Sequence, residues 1–282
     1  MELELLHFPD ALSTMQAQNL KKAQDFFRLR ALTPRQDVVK HLSQDRLLLA
    51  EVSQLKASVL ENLEVLAILK RAPRESLLIS QEVSFEGLNL ASKLALLAAN
   101  PWVDSLGLQS QIFKGEFSKL LLDLSQKKLE AALITASQYA LQAQAYQAIS
   151  LEVHLKELGL KSETIDMRLI PPQFGESSWG FLQLKGAKQA LSKLQAFNHA
   201  PSLDAFRAEA QFMQLMTAAD KNAYYTSFAQ VSAEGDLSMM AFGYEPKAKL
   251  RLEAEVVGDV YEGQVLAEEL AEDMLEQMQA IR

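Results

Sequence analysis

The segment KLRLEAEVV, Lys249 to Val257, alternates strictly. Leu250, Leu252, Ala254 and Val256 fall on one face, and Lys249, Arg251, Glu253 and Glu255 on the other. A period of two with a single apolar face marks an antiparallel strand with one side in a core and the other in water. Such a strand needs neighbours and a cover. The stretch Thr217 to Met240 reads as a turn, a strand, a second turn and the start of another strand. Gly258-Asp259 is expected to turn the chain, and EGQVLAEELAEDMLEQMQAIR then sets Leu266, Leu270, Met274 and Met278 on one helical stripe. From about residue 195 the order is helix, three strands and helix, a small α+β domain.

Upstream the pattern changes. ALSTMQAQNLKKAQDFF reads as an amphipathic helix with Asp10 as its N-cap. DVVKHLSQDRLLLAEVS reads as a helix running into a short strand, and LEVLAILKRAP as a strand ending at Pro73. EFSKLLLDLSQKKLEAALITAS gives helix, turn and buried strand, the repeating unit of α/β folds. IPPQFGESSWG holds two prolines and two glycines and is the best hinge. KQALSKLQAFN is helical, and SLDAFRAEAQFMQLMTAA follows as a helix capped by Ser202. No repeat or low-complexity segment is evident.

Composition narrows the functions. With 282 residues the chain can bury more than one core. Basic residues number 28 and acidic residues 36, a net charge of −8, which argues against nucleic acid or an anionic membrane as partner. There is no cysteine, so disulfides, thiolate metal sites and cysteine nucleophiles are excluded. MELELLHFPD is not read as a signal peptide, no run of about 18 apolar residues occurs, and a cytoplasmic location is expected. Glycine-rich phosphate loops, GxSxG and HExxH are missing. His7, His41, His154 and His199 lack metal-ligand spacing, and no metal is expected. Met213, Met216, Met239, Met240, Met274 and Met278 read as core filling, and EELAEDMLE as a solvated helix face. Trp179, in the glycine- and proline-rich hinge, is expected to line a cleft between domains.

Several strings resemble porphobilinogen deaminase, also called hydroxymethylbilane synthase. RAPRESLLIS (Arg71–Ser80) is similar to that family's R-x-D-P-R-D-x-x-x-S strand, VSQLKAS (Val52–Ser58) to V-H-S-x-K-D-x, and FKGEFSKLLLDL (Phe113–Leu124) to L-R-G-N-x-x-T-R-L-x-x-L. KNAYYTSFAQV aligns without gaps to C-Q-V-P-I-G-S-Y-A-x-x, ANPWV lies where the family has R-P-D-L, and LAEEL matches the final helix. The resemblance implies an α/β plus α+β fold: two periplasmic-binding-protein-like α/β domains and a small C-terminal α+β domain. It implies a discontinuous first domain of residues 1–82 plus 173–192, a second of 83–172 and a third of 193–282.

The resemblance also implies a lost activity. The family hangs a dipyrromethane cofactor on a cysteine thiolate, a strong nucleophile toward the azafulvene. That position is Lys221 here, beside Asp220, and reads as an ordinary surface lysine. The family's catalytic aspartate is replaced by Ala57, which carries no proton, while Lys56 is kept. Positions of the arginines that clamp substrate carboxylates hold Phe8, Ala91, Ser92, Leu120 and Ala140; Lys114 is the basic survivor, and Asp10 would repel carboxylates. Ser178-Trp179-Gly180 replaces the cleft's Gly-Gln-Gly. The cleft is thus expected to comprise Lys56, Lys114, Trp179, Phe8, Asp10, Leu120 and Ala140, without the dipyrromethane or any other cofactor. The expected function is a non-catalytic homologue with a binding or regulatory role near tetrapyrrole metabolism, taking a protein partner or a small apolar or tetrapyrrole-related ligand. The alternatives are an active, divergent hydroxymethylbilane synthase of haem biosynthesis and a cytosolic small-molecule binding protein.

Overall fold

The computed structural model describes residues 3–8, 11–24, 27–32, 38–42, 46–71, 74–88, 93–97, 100–136, 138–139, 142, 151–187 and 194–281. They form two α/β domains with mixed sheets and a third unit of α+β type.

The first sheet contains β1 (Leu3–His7), β2 (Phe27–Ala31), β3 (Arg46–Glu51) and β4 (Leu63–Ile68). It also contains β10 (Trp179–Leu184), in the order β2-β1-β3-β10-β4. β1 runs parallel to β2 and β3, while β10 lies antiparallel between β3 and β4. The run Leu47-Leu48-Leu49-Ala50 is fully buried because both faces are covered, as parallel sheets require. Leu47 and Leu49 pack with Phe27, Trp179 and Phe181 under α1 (Ala11–Ala23). Leu48 and Ala50 pack on the other face with Val38 and Leu42, in and just after α2 (Val38–His41), and with Leu182. The strand expected to end at Pro73 stops at Ile68, and the expected cap Asp10 lies outside the described residues.

The second sheet repeats that plan. β5 (Ser76–Ser80), β6 (Lys93–Leu96), β7 (Gln109–Ile112), β8 (Ala131–Thr135) and β9 (Lys161–Ile165) take the order β7-β6-β8-β5-β9. Again the strand arriving from the other domain, here β5, is the antiparallel one. The first domain's chain leaves at β4 and enters the second at β5; the second domain's chain leaves at β9 and returns at β10. Two crossovers, one holding the described residues 69–71 and 74–75 and one of residues 166–178, therefore join the domains. α5 (Phe117–Ser125) covers one face through Phe117, Leu120, Leu121 and Leu124, and α4 (Pro101–Ser105) closes the other with Trp102 and Val103.

The third unit has β11 (Tyr224–Val231), β12 (Asp236–Glu245) and β13 (Leu250–Asp259) as an antiparallel meander under α7 (Ala200–Ala219) and α8 (Gly263–Ala280). Within the second domain, α6 (Leu151–Glu157) lies between β8 and β9 and adds Leu151 and Leu155 to the core under α5. Met216, Met239, Met274 and Met278 are buried and the stripe of α8 faces the meander. Two local readings are corrected. Gly258-Asp259 ends β13, and the turn into α8 follows at Val260–Glu262, where Asp259 accepts from the Tyr261 amide at 2.9 Å. The cap of α7 is His199, whose ring nitrogen accepts from the Ser202 amide; Pro201 in the first turn lets the helix begin before Ser202. Most of the helix expected over KQALSKLQAFN lies outside the described residues.

The third unit holds both crossovers. Glu209 of α7, fully buried, accepts from Arg71 Nη1 at 2.9 Å and Nη2 at 3.1 Å, and from Arg74 Nη1 at 2.6 Å. On the second crossover, Thr226 Oγ1 donates to the Pro172 carbonyl at 2.7 Å, and Arg251 Nη2 donates to the carbonyls of Arg168 and Leu169. Trp102 of the second domain meets Phe242 edge-on, with ring centroids 6.4 Å apart.

Among the described residues no helix is long and apolar enough to cross a membrane, and no group of three His, Asp or Glu is placed to hold a metal ion.

Candidate functional site

In an open α/β sheet the strand order reverses at one point, and the carboxyl ends of the strands there leave a crevice. The two sheets supply one such point each, between β1 and β3 and between β6 and β8. Three strand ends from these points meet at one cavity of about 270 Å³: Glu51 closes β3, Leu96 closes β6 and Thr135 closes β8. The first domain adds Ser53 and Gln54; the second adds Ser76, Asn100 and Gln138; the second crossover adds Gln173 and Glu176.

Much of this wall is fixed by its own hydrogen bonds. Asn100 caps α4 by accepting from the Trp102 amide at 2.9 Å. The Thr135 amide donates to Gln138 Oε1, and the Gln138 amide donates to Thr135 Oγ1, so β8 leads into a reciprocal turn. The crossover is pressed onto the end of β3. The Val52 amide donates to the Ser178 carbonyl, the Ser53 amide to Gly175, and the Ser177 amide to Glu51 Oε1 at 2.6 Å. Gly175 makes the approach possible: its φ is +75°, and a Cβ would stand 2.8 Å from the Ser53 nitrogen.

Glu176 is the unusual member. It is 5% exposed. Its Oε2 accepts from the Gln173 amide at 3.0 Å, whereas its buried Oε1 has no hydrogen-bond partner among the described residues. Burial pushes its carboxyl up to about 7; Arg74 and the Gln173 amide pull the other way, and Glu51 adds to the rise. Arg74 attracts Glu176 without bonding it: its Nη1 is held by Glu209, its Nη2 donates to the Gln173 carbonyl, and its buried Nε has no hydrogen-bond partner among the described residues.

The residues expected to form the cleft lie elsewhere. Trp179 is buried with Phe27 and Phe181 in the first core, and Leu120 is fully buried in the second. Phe8 packs against the cluster of Leu6 and Leu32. Lys56 and Lys114 are exposed, Lys56 before α3 (Ala57–Leu60) and Lys114 before α5. None of these five lines the cavity. Ala57 stands at the start of α3, and Lys221 is exposed in the turn before β11, where Asp220 accepts from the Asn222 amide and the Tyr225 hydroxyl. Asp10, Ala91, Ser92 and Ala140 lie outside the described residues. Sequence reasoning found the crossover and passed over its glutamate. The signal was present: Glu176 is the sole charge in IPPQFGESSWG, as Glu51 is in LLLAEV.

No model of a known family and no curated protein matches the chain. Among solved structures it is similar to the GluR0 ligand-binding core in complex with L-glutamate, at 13% identity over 78% of this chain and 97% of that one, TM-score 0.41. It is similar to an ancestral arginine-binding protein bound to arginine, at 12% over 77% and 97%, TM-score 0.41. A third is a periplasmic His/Glu/Gln/Arg/opine family-binding protein from Silicibacter pomeroyi in complex with lysine, at 10% over 69% and 88%, TM-score 0.39. The expected kinship with porphobilinogen deaminase is corrected by these findings: no family model matches, and the three similar solved structures are a ligand-binding core and two amino-acid-type binding proteins, not porphobilinogen deaminases. Its strings have structural reasons to be as they are. In RAPRESLLIS, Arg71 and Arg74 are tied to Glu209 and Ser76–Ser80 is β5, while FKGEFSKLLLDL runs from the approach to α5 through nearly all of that helix and its buried stripe. The expectations of a non-catalytic tetrapyrrole-related homologue and of a divergent hydroxymethylbilane synthase fall with that kinship.

Proposed function

We propose that this chain is a two-domain binding protein that holds one small polar molecule in the cavity between its α/β domains. One observation carries the reading: carboxyl ends of strands from two sheets of the same order meet the second crossover at a single cavity lined by both domains. Ligands of open α/β sheets sit at that place for a physical reason. The strand ends free backbone groups and side chains that the sheet does not use. The lining is mainly neutral and polar, with Ser53, Ser76, Asn100, Thr135 and Gln138 offering directional hydrogen bonds, while Leu96 and Leu133 give an apolar floor. The cavity suits a ligand of amino-acid or small-sugar dimensions.

A screen of small polar metabolites at millimolar concentration tests this by thermal shift combined with amide hydrogen exchange. A true ligand raises the melting temperature by mass action. It also slows exchange at residues 51–54, 96–100, 135–138 and 173–178 together. A ligand that protects only one domain, or none that stabilises at all, defeats the reading.

A further inference from the structure

We propose that the ligand carries a cationic nitrogen, an ammonium or guanidinium, which seats against the carboxylate of Glu176 at the crossover end of the cavity. The inference rests on the reading of the cavity as a ligand site and names the class of ligand.

The charges are one-sided. Among the described residues lining the cavity, the two charged groups are Glu51 and Glu176, and none is basic. Both carboxylates are about 5% exposed. A buried carboxylate ordinarily accepts several donors or an ion pair. Glu209, on the far side of Arg74, does so. Glu176 has one backbone donor and leaves Oε1 without a partner. The charged groups that act on it are Arg74 from the first crossover, which attracts it but makes no hydrogen bond to it, and Glu51 from β3, which is repulsive. A cationic N–H donor would supply the missing hydrogen bond and a positive charge in direct contact, and charge-assisted bonds are the strong ones. A neutral hydroxyl supplies the bond alone, and a carboxylate ligand would meet two acidic groups.

The rest of the wall suits such a ligand. The Glu51 Oε1 is already held by the Ser177 amide at 2.6 Å, so Glu51 contributes field rather than an open acceptor. In the second domain, Ser76 and the side-chain amide nitrogens of Asn100 and Gln138, whose oxygens hold the Trp102 and Thr135 amides, would serve the uncharged part of the ligand. Because burial favours the protonated Glu176 in the empty site, a cation that ionises it displaces a proton.

The test uses the full-length chain and isothermal calorimetry with defined probes: agmatine, cadaverine, L-lysine and L-arginine as cations, D-ribose as a neutral polyol and succinate as an anion. At least one cation is expected to bind with release of about one proton per ligand at pH 6, read from two buffers of different ionisation enthalpy. Glu176→Gln is expected to weaken that probe about 10- to 100-fold, the range of one charged hydrogen bond. Gln138→Ala, a neutral change in the same cavity, is expected to weaken it less. A cation whose affinity survives Glu176→Gln overturns the inference. Binding of ribose or succinate, lost on Gln138→Ala and indifferent to Glu176→Gln, overturns it while the cavity stands as a ligand site. Binding of no probe of any class defeats both.

Discussion

Glu209 and Glu176 are both withdrawn from water beside the crossovers, and they differ in what surrounds them. Glu209 receives three guanidinium N–H groups and the Ala229 amide. Glu176 receives one amide. The difference separates two uses of a buried charge. A carboxylate saturated by its own chain is part of the frame, and its arginines fasten the third unit to the first crossover. A carboxylate left short of donors on a cavity wall is a binding group in waiting. The comparison can be broken or sharpened by experiment.

The largest effect is expected from Glu209→Ala. It strands Arg71 and Arg74, both buried, without their counter-charge, and removal of one partner from such a cluster costs on the order of 3–5 kcal/mol. Denaturant unfolding measures it; a loss under about 1 kcal/mol would remove Glu209 from the frame.

Glu176→Gln is expected to do the reverse at high pH. The folded carboxyl titrates at about 7 instead of 4.5, so between those values the folded state holds more protons than the unfolded one. Its stability contribution is complete below about pH 4.5 and is lost as pH rises through about 7. The span corresponds to about 3 kcal/mol, at 1.36 kcal/mol for each pH unit. The glutamine variant should therefore flatten the fall in stability from pH 5 to pH 8 and be the more stable protein at pH 8. Equal slopes in the two proteins would mean that Glu176 finds a partner after all.

Gly175→Ala comes next, with a loss of about 1–3 kcal/mol from the left-handed backbone and the crowding against Val52 and Ser53. It should also move the crossover off β3 and weaken any cavity ligand. Lys221→Ala should change stability by less than about 0.5 kcal/mol, as for exposed residues in general, and leave ligand binding untouched.

What could be read in the sequence was whatever has a short repeat. The alternation of Leu252, Ala254 and Val256 and the stripe of Leu266, Leu270 and Met274 placed the third unit, because both patterns report one buried face. The run LLLAEV read as a short strand for a different reason, an unbroken apolar stretch, and both of its faces are covered. The cavity was not legible, since its walls come from residues 51, 96, 135 and 176, which only the two crossovers bring together. Trp179 was misleading in an instructive way: it stands beside the hinge in sequence, yet strand alternation turns its ring into the first core. Leu120 likewise belongs to the buried stripe of α5.

The interleaving of β10 between β3 and β4 has a consequence during synthesis. The first sheet cannot close until residues 179–184 have emerged, so β3 and β4 must wait while residues 69–178 are made. At ribosomal speeds that is roughly 5–20 s in which the facing edges of β3 and β4 lack their partner strand. The order in which the chain is translated, rather than the strength of its finished core, sets where it is most exposed to misassembly.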